Sequence, residues 1–576
     1  MTGNNRTHLE TLRRLAVVTL CVVLLAAPTA FAGPADDAKA AAKAGKWAKA
    51  ADAWAQVLEK SPTNKEAAIG LTKAAIRAKL PDHFLTAEDS LRTLLEKNEK
   101  DVTLLVALGD ICLATSGAKQ DTLAKKSYDD EARQSYEKAL RIDPKSDGAA
   151  GGLAQTYYQM ADFANAIKTV DDFLALKPVS PTRALYWKGQ TLYLQARDAF
   201  TAGGNKLTPQ ATDLFRKAQG AYQASAHVGG KKTDAQVWIQ LAYASAYLGD
   251  IPTAGDAYRK AAELDPNNDA PIRGLQSLYT HTPDKYLSAL AGLLEKNANH
   301  TWALWYLADN RYKAGDFKQA RKLYERYAAA SDNAGAGYYA AALAATQMND
   351  ADGAEKLHYK ALAANPAHGQ AAAAIQKRLM DAGAEQRARK SPDDAQKVIA
   401  EFAPLLKAAP DMAWIRNNLG FILREAYVGG ARGGGEAKWR PILKAATEVY
   451  TEAADILGEW THEKEQSYTW QQRYAEAQII SDTGLMYEFY PATRDDDTAE
   501  KYFNTALEYT EDGYRDAFDG MTRLLARQQR WQDLYDLAMA CAEGLTTESG
   551  APDESARSRA AGIAKKLLAD GKAKDE

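Results

Sequence analysis

The sequence predicts an all-α fold in which antiparallel helix pairs stack side by side as a solenoid. Three observations predict it. Apolar residues recur three and four positions apart through most of the 576 residues, which is the helical period. Two-helix patterns repeat at intervals of 34 residues, as from Ala132 to Ala166 and from Ala320 to Ala354. Prolines are few, 19 in all, and tend to stand where a helix must stop. A chain of this length exceeds what one compact core organises, so an array or several domains is required.

The first 32 residues stand apart. Arg6, Arg13 and Arg14 precede an apolar run from Leu15 to Leu25, and Ala30-Phe31-Ala32 follows. That order predicts a secretory signal peptide over 1–32, cut after Ala32, because the run is shorter than the roughly 20 residues of a spanning helix. Its removal takes away three arginines and one glutamate, so the formal net charge of −3 becomes −5. A mildly acidic chain gives no reason to expect nucleic acid, and no later stretch is long and apolar enough to span a bilayer. Cys112 and Cys541 remain, far apart and each inside a helical pattern, so both read as small buried hydrophobes.

The clearest repeat is 235–268. Trp238, Leu241, Ala242 and Ser245 share one stripe of a first helix, and Gly249-Asp250 breaks it. Ala254, Tyr258 and Ala261 then mark a second helix that Pro266 ends. Similar second helices carry Ala50, Trp54, Val57 and Pro62; Ala132, Tyr136, Ala139 and Pro144; Ala166, Val170, Phe173 and Pro178. Ala211, Phe215 and Ala218 follow, and residues 269–299 are degenerate. The pattern resumes with Ala320, Tyr324 and Tyr327, with Ala354, His358, Ala361 and Pro366, and with Val398, Phe402, Leu405 and Pro410. Inserts near Thr115 to Glu131 and Phe200 to Gln210 are expected to lengthen the turns inside their repeats.

The glycine-rich run at 427–439 reads as a flexible loop or hinge between the two helices of one repeat. It is no phosphate cradle, since Lys438 is followed by Trp439. Repeats continue over 440–545, through Ala446, Tyr450 and Ala453 and then Ala499, Phe503 and Ala506. Residues 546–576 read as a capping helix and charged tail, with Ala560, Ile563, Leu567 and Leu568 as its apolar stripe. The main array thus spans 33–426, and about twelve repeats leave no stretch for a separate catalytic domain.

This order of Trp, Leu and a small residue, then Ala, an aromatic four later and a closing Pro, resembles the tetratricopeptide repeat. The resemblance implies a right-handed superhelical solenoid whose first helices line a concave face, with repeat positions 2, 5, 9, 12 and 13 toward the groove. Those positions hold Tyr158, Tyr186, Tyr193, Tyr243, Tyr247, Trp302, Trp305, Tyr312, Tyr339, Trp414 and Phe421, interleaved with Gln155, Gln190, Gln236, Asp309, Gln347, Asn417 and Arg424. Tyr and Trp offer large contact area for few lost rotamers, so the set predicts an aromatic-lined groove for a protein or peptide segment. The family's clamp for terminal carboxylates, Lys and Asn across three repeats, is not found, and Asn418 alone fits its asparagine ladder.

No catalytic constellation is present. His462-Glu463 begins a zinc-protease motif, but Gln466 stands at its second His position and Ser467 follows, so the motif is not met. Acidic runs such as Asp495-Asp496-Asp497 read as solvated helix starts. The expectation is a non-enzymatic interaction scaffold with no cofactor or metal, exported to the periplasm or secreted, serving envelope assembly, secretion or complex formation. The alternative is a polysaccharide-binding component of an export machinery.

Overall fold

The computed structural model describes residues 33–574 apart from 231, 232, 460, 462, 463, 465 and 466, and for 433 and 434 the backbone only. The leader at 1–32 and the His462-Glu463 pair lie outside the described residues. Those described are helical almost throughout, with isolated β-bridges at Tyr514–Thr546 and Thr546–Pro552. The all-α array of stacked helix pairs is what the sequence predicts.

The chain forms two compact units, one up to Lys296 and one from Asn297. Among the described residues the first holds seven helix pairs, from Pro34–Lys43 with Trp47–Lys60 to Ala270–Leu278 with Pro283–Lys296. The second begins with Thr301–Lys313 and Phe317–Ala330, continues through five further pairs among the described residues, and ends on the single helix Glu554–Ala569.

Local chemistry explains the turns. Between paired helices a single residue enters the left-handed region: Gly45, Gly249 and Gly315 in three repeats, Ala161 and Asn349 in two others. An aspartate follows in four of the five, and its side chain accepts the amide of the third residue on, as Asp250 does from Thr253 N at 3.2 Å and Asp316 from Gln319 N at 3.2 Å. The carboxylate satisfies a donor that the helix start would leave open and faces the positive end of the helix dipole.

Packing between pairs is a ring against a missing side chain. Tyr136 lies between two first helices, and a Cβ at Gly109 would stand 2.6 Å from its ring, with Gly152 closer still. Phe503 sits the same way between Gly484 and Gly520. Both rings are fully buried. Dispersion and apolar burial hold the pairs together only because glycine lets the backbones approach.

Two expectations need correction. The insert at 115–131 does not lengthen its turn but continues the helices, giving Val102–Ala118 with Thr122–Ile142; the one at 200–210 does lengthen its turn, to 203–208, between the extended helices Thr182–Ala202 and Pro209–Gly229. Extending a helix adds one hydrogen bond per residue, whereas a long turn leaves backbone groups to water. The glycine stretch is also wound rather than looped: Ala413–Gly430 passes through a π-helical turn, Ala431–Gly435, into Glu436–Leu457. Gly430 is required there because any Cβ would enter the Trp439 ring, and Trp439 is buried.

Candidate functional site

In the first unit the predicted groove aromatics are half-buried and lean on rings of neighbouring helices. Tyr158 lies 5.3 Å from Trp187, centroid to centroid. Tyr186 packs 6.1 Å from Tyr222, and its hydroxyl accepts Gln190 Nε2 at 2.7 Å. Tyr193 meets Phe215 at 5.7 Å and Tyr247 at 6.0 Å, while Tyr247 stacks on Phe215 at 4.6 Å. Tyr243 meets Tyr258 edge-on at 5.9 Å. Tyr186–Tyr222, Tyr193–Phe215 and Tyr243–Tyr258 join the two helices of one pair, while Tyr158–Trp187, Tyr193–Tyr247 and Tyr247–Phe215 bridge successive pairs, and each of the predicted groove rings stays only half-buried.

The second unit repeats this arrangement. Trp305 packs 5.2 Å from Tyr324 and 4.9 Å from Tyr327, and Trp302 lies 6.4 Å from Tyr327. Tyr312 meets Phe317 at 5.2 Å, and Tyr339 lies 5.6 Å from His358 and 5.0 Å from His368. Trp414 is half-buried against Ala413, Ala453 and Ile479. Phe421 differs, being 42% exposed, with the Arg424 guanidinium 5.2 Å from its ring centre. Arg424 also lies 3.6 Å from Asp482, whose carboxyl burial pushes up to about 6.

A polar trough in the first unit was not legible in the repeat pattern. It consists of a cavity of about 740 Å³ and a second of about 470 Å³, which share Arg77 and Arg183 in their walls. Arg183 is placed by a cap borrowed from the preceding repeat. The helix Thr182–Ala202 starts at Pro181 without a side-chain cap of its own, and Asp147 accepts Arg183 N at 2.8 Å and Ala184 N at 2.9 Å. Desolvation raises the Asp147 carboxyl above the usual range.

From there Arg183 Nη2 donates to Asp110 Oδ1 at 2.7 Å and to Gln155 Oε1 at 3.0 Å, and Tyr136 OH donates to the same Asp110 oxygen at 2.6 Å. Burial, with Asp110 beside it, pushes the Tyr136 hydroxyl well up, so it stays a donor at every working pH. Across the trough, Arg77 stacks 4.8 Å over Trp47 and its Nη2 donates to Asp234 Oδ2 at 3.2 Å, joining residues 157 apart in sequence. Gln236 lines the larger of these cavities and Gln155 the smaller.

Among the described residues no three His, Cys, Asp or Glu side chains gather as a metal would need. No described helix is long and apolar enough to cross a membrane. Cys112 and Cys541 are buried and free, and burial pushes both thiols up.

Residues 130–187 and 235–268 each match a family profile described as Tetratricopeptide repeat. Comparison with curated proteins gives no match. Among solved structures, the chain is similar to a thermophilic TPR protein of Thermus thermophilus, with 15% identity and a TM-score of 0.25 over 45% of this chain and 97% of that one. It is also similar to yeast Tom70, with 13% identity and a TM-score of 0.20 over 89% and 97%. A third is the structure of Naa15/Naa10 bound to HypK-THB, with 15% identity and a TM-score of 0.22 over 94% and 97%.

Proposed function

Because this chain is a tetratricopeptide-repeat protein, we propose that it is a non-enzymatic scaffold that holds a segment of another protein along its first-helix faces. The observation that carries this reading is the recurrence of amide, charged and aromatic side chains on successive first helices, each ring held by packing yet none of them fully buried. Rings fixed in this way lose little rotamer freedom when a partner arrives, which is what interface anchors need. The basic, apolar, small-residue leader supports a place outside the cytoplasm, in envelope assembly or secretion.

Phe421 tests the groove most directly, since its exposure separates binding from folding. Phe421→Ala is expected to leave the melting curve within about 0.5 kcal/mol of the parent. It should weaken peptides selected on an array by about 1 kcal/mol or more. A glycan array run beside it decides between a protein segment and a polysaccharide: glycan binding with no peptide binding refutes the reading. Amino-terminal sequencing of the protein from fractionated cells tests export, where a chain that retains Met1 in the cytoplasm counts against it.

A further inference from the structure

We infer that the trough of the first unit binds an extended acidic segment, and that Asp234 occupies the place of that segment's carboxylate when the trough is empty. The inference rests on the groove reading and narrows it to one unit and one ligand chemistry. Arg77 and Lys73 stand one helical turn apart on Lys65–Ala78 and line the same cavity. Among the described residues Lys73 makes no ion pair, and Arg77 pairs with no acid other than Asp234. That pair is about half exposed on both sides, so water and salt screen it and it breaks easily.

The other acid in the walls is already committed. Asp110 takes both the Tyr136 hydroxyl and the Arg183 guanidinium, so it neither repels an incoming carboxylate nor neutralises Lys73. The trough is therefore cationic in a chain whose formal net charge is −3. Ile69, Ile76 and Val237 supply apolar wall between the charges. An Asp or Glu side chain on an extended segment can take Arg77 from Asp234 and reach Lys73 together, gaining a second cation that Asp234 does not have.

The test uses the full chain and ten-residue peptides alternating apolar residues with Asp or Glu, acetylated and amidated so that no terminal charge competes. Their Asn/Gln counterparts and a polyuronate oligosaccharide serve as the other arms. The acidic peptides are expected to bind more tightly at low salt than at high salt. Asp234→Asn removes the internal competitor and should tighten them about two- to fivefold. Lys73→Gln with Arg77→Gln should weaken them about tenfold with the far-ultraviolet circular dichroism unchanged. Equal binding of the Asn/Gln peptides, no gain from Asp234→Asn, or binding of the polyuronate alone overturns the inference. If peptides bind but respond only to Phe421→Ala, the groove reading stands and this one falls; if no peptide of either kind binds, both fall.

Discussion

His358 shows how one residue couples repeat packing to pH. It takes the aromatic position of its second helix, is 6% exposed, has a buried Nδ1 without a hydrogen-bond partner, and lies against Tyr339. Burial, with His368 nearby, lowers its pKa to about 4. The folded state thus holds it neutral while the unfolded chain protonates near 6.5, so stability falls as pH drops from about 6.5 toward 4. Asp482 has the opposite sign: its raised pKa of about 6 means that acidification through the same range favours the folded state. Comparing His358→Phe with the parent isolates the histidine, and the parent is expected to lose about 2 kcal/mol more between pH 7 and pH 4 in urea titrations. A second residue-scale outcome concerns Ala161, which holds φ +59 where other repeats use glycine. Ala161→Gly should relieve left-handed strain and stabilise the first unit by up to about 1 kcal/mol, net of the added freedom of the unfolded chain. A lower melting temperature would sink that account.

At the scale of the element, helix starts and stops were legible because their causes are local. The turn residue in the left-handed region, the aspartate after it and the proline beyond the second helix all act within a few positions, so Gly249-Asp250 and Pro266 read correctly without tertiary knowledge. The insert at 115–131 was misread for an equally physical reason. It holds no proline, and nothing local says whether a helix grows there or a loop does, whereas Gly203-Gly204-Asn205 marks the longer turn of the second insert. Leu241 tests the packing of one element. It is 3% exposed, and Leu241→Ala is expected to cost about 2 to 5 kcal/mol, seen as earlier unfolding in hydrogen exchange of the helices around it. Trp302→Ala with Trp305→Ala is expected both to weaken partner binding and to destabilise the second unit, since both rings pack on Tyr327.

At the scale of the molecule, each unit is a row of pairs that touch chiefly their neighbours, so stability accumulates from nearest-neighbour interfaces. Residues 33–296 and 297–574, expressed separately, are each expected to keep a helical circular dichroism spectrum and a cooperative melt, because each has its own core. A fragment that is unfolded in isolation would refute that expectation. The 34-residue period, the helix pairs, the turns of the regular repeats and the candidate rings were determined by the sequence alone, because they depend on spacings of three, four and seven residues that any stretch of chain carries with it. What only the tertiary structure decided is which neighbour each ring packs on and that Arg77 meets Asp234 across 157 residues. Curvature sums small rotations from one pair to the next, and no local pattern encodes where that sum brings two distant side chains together.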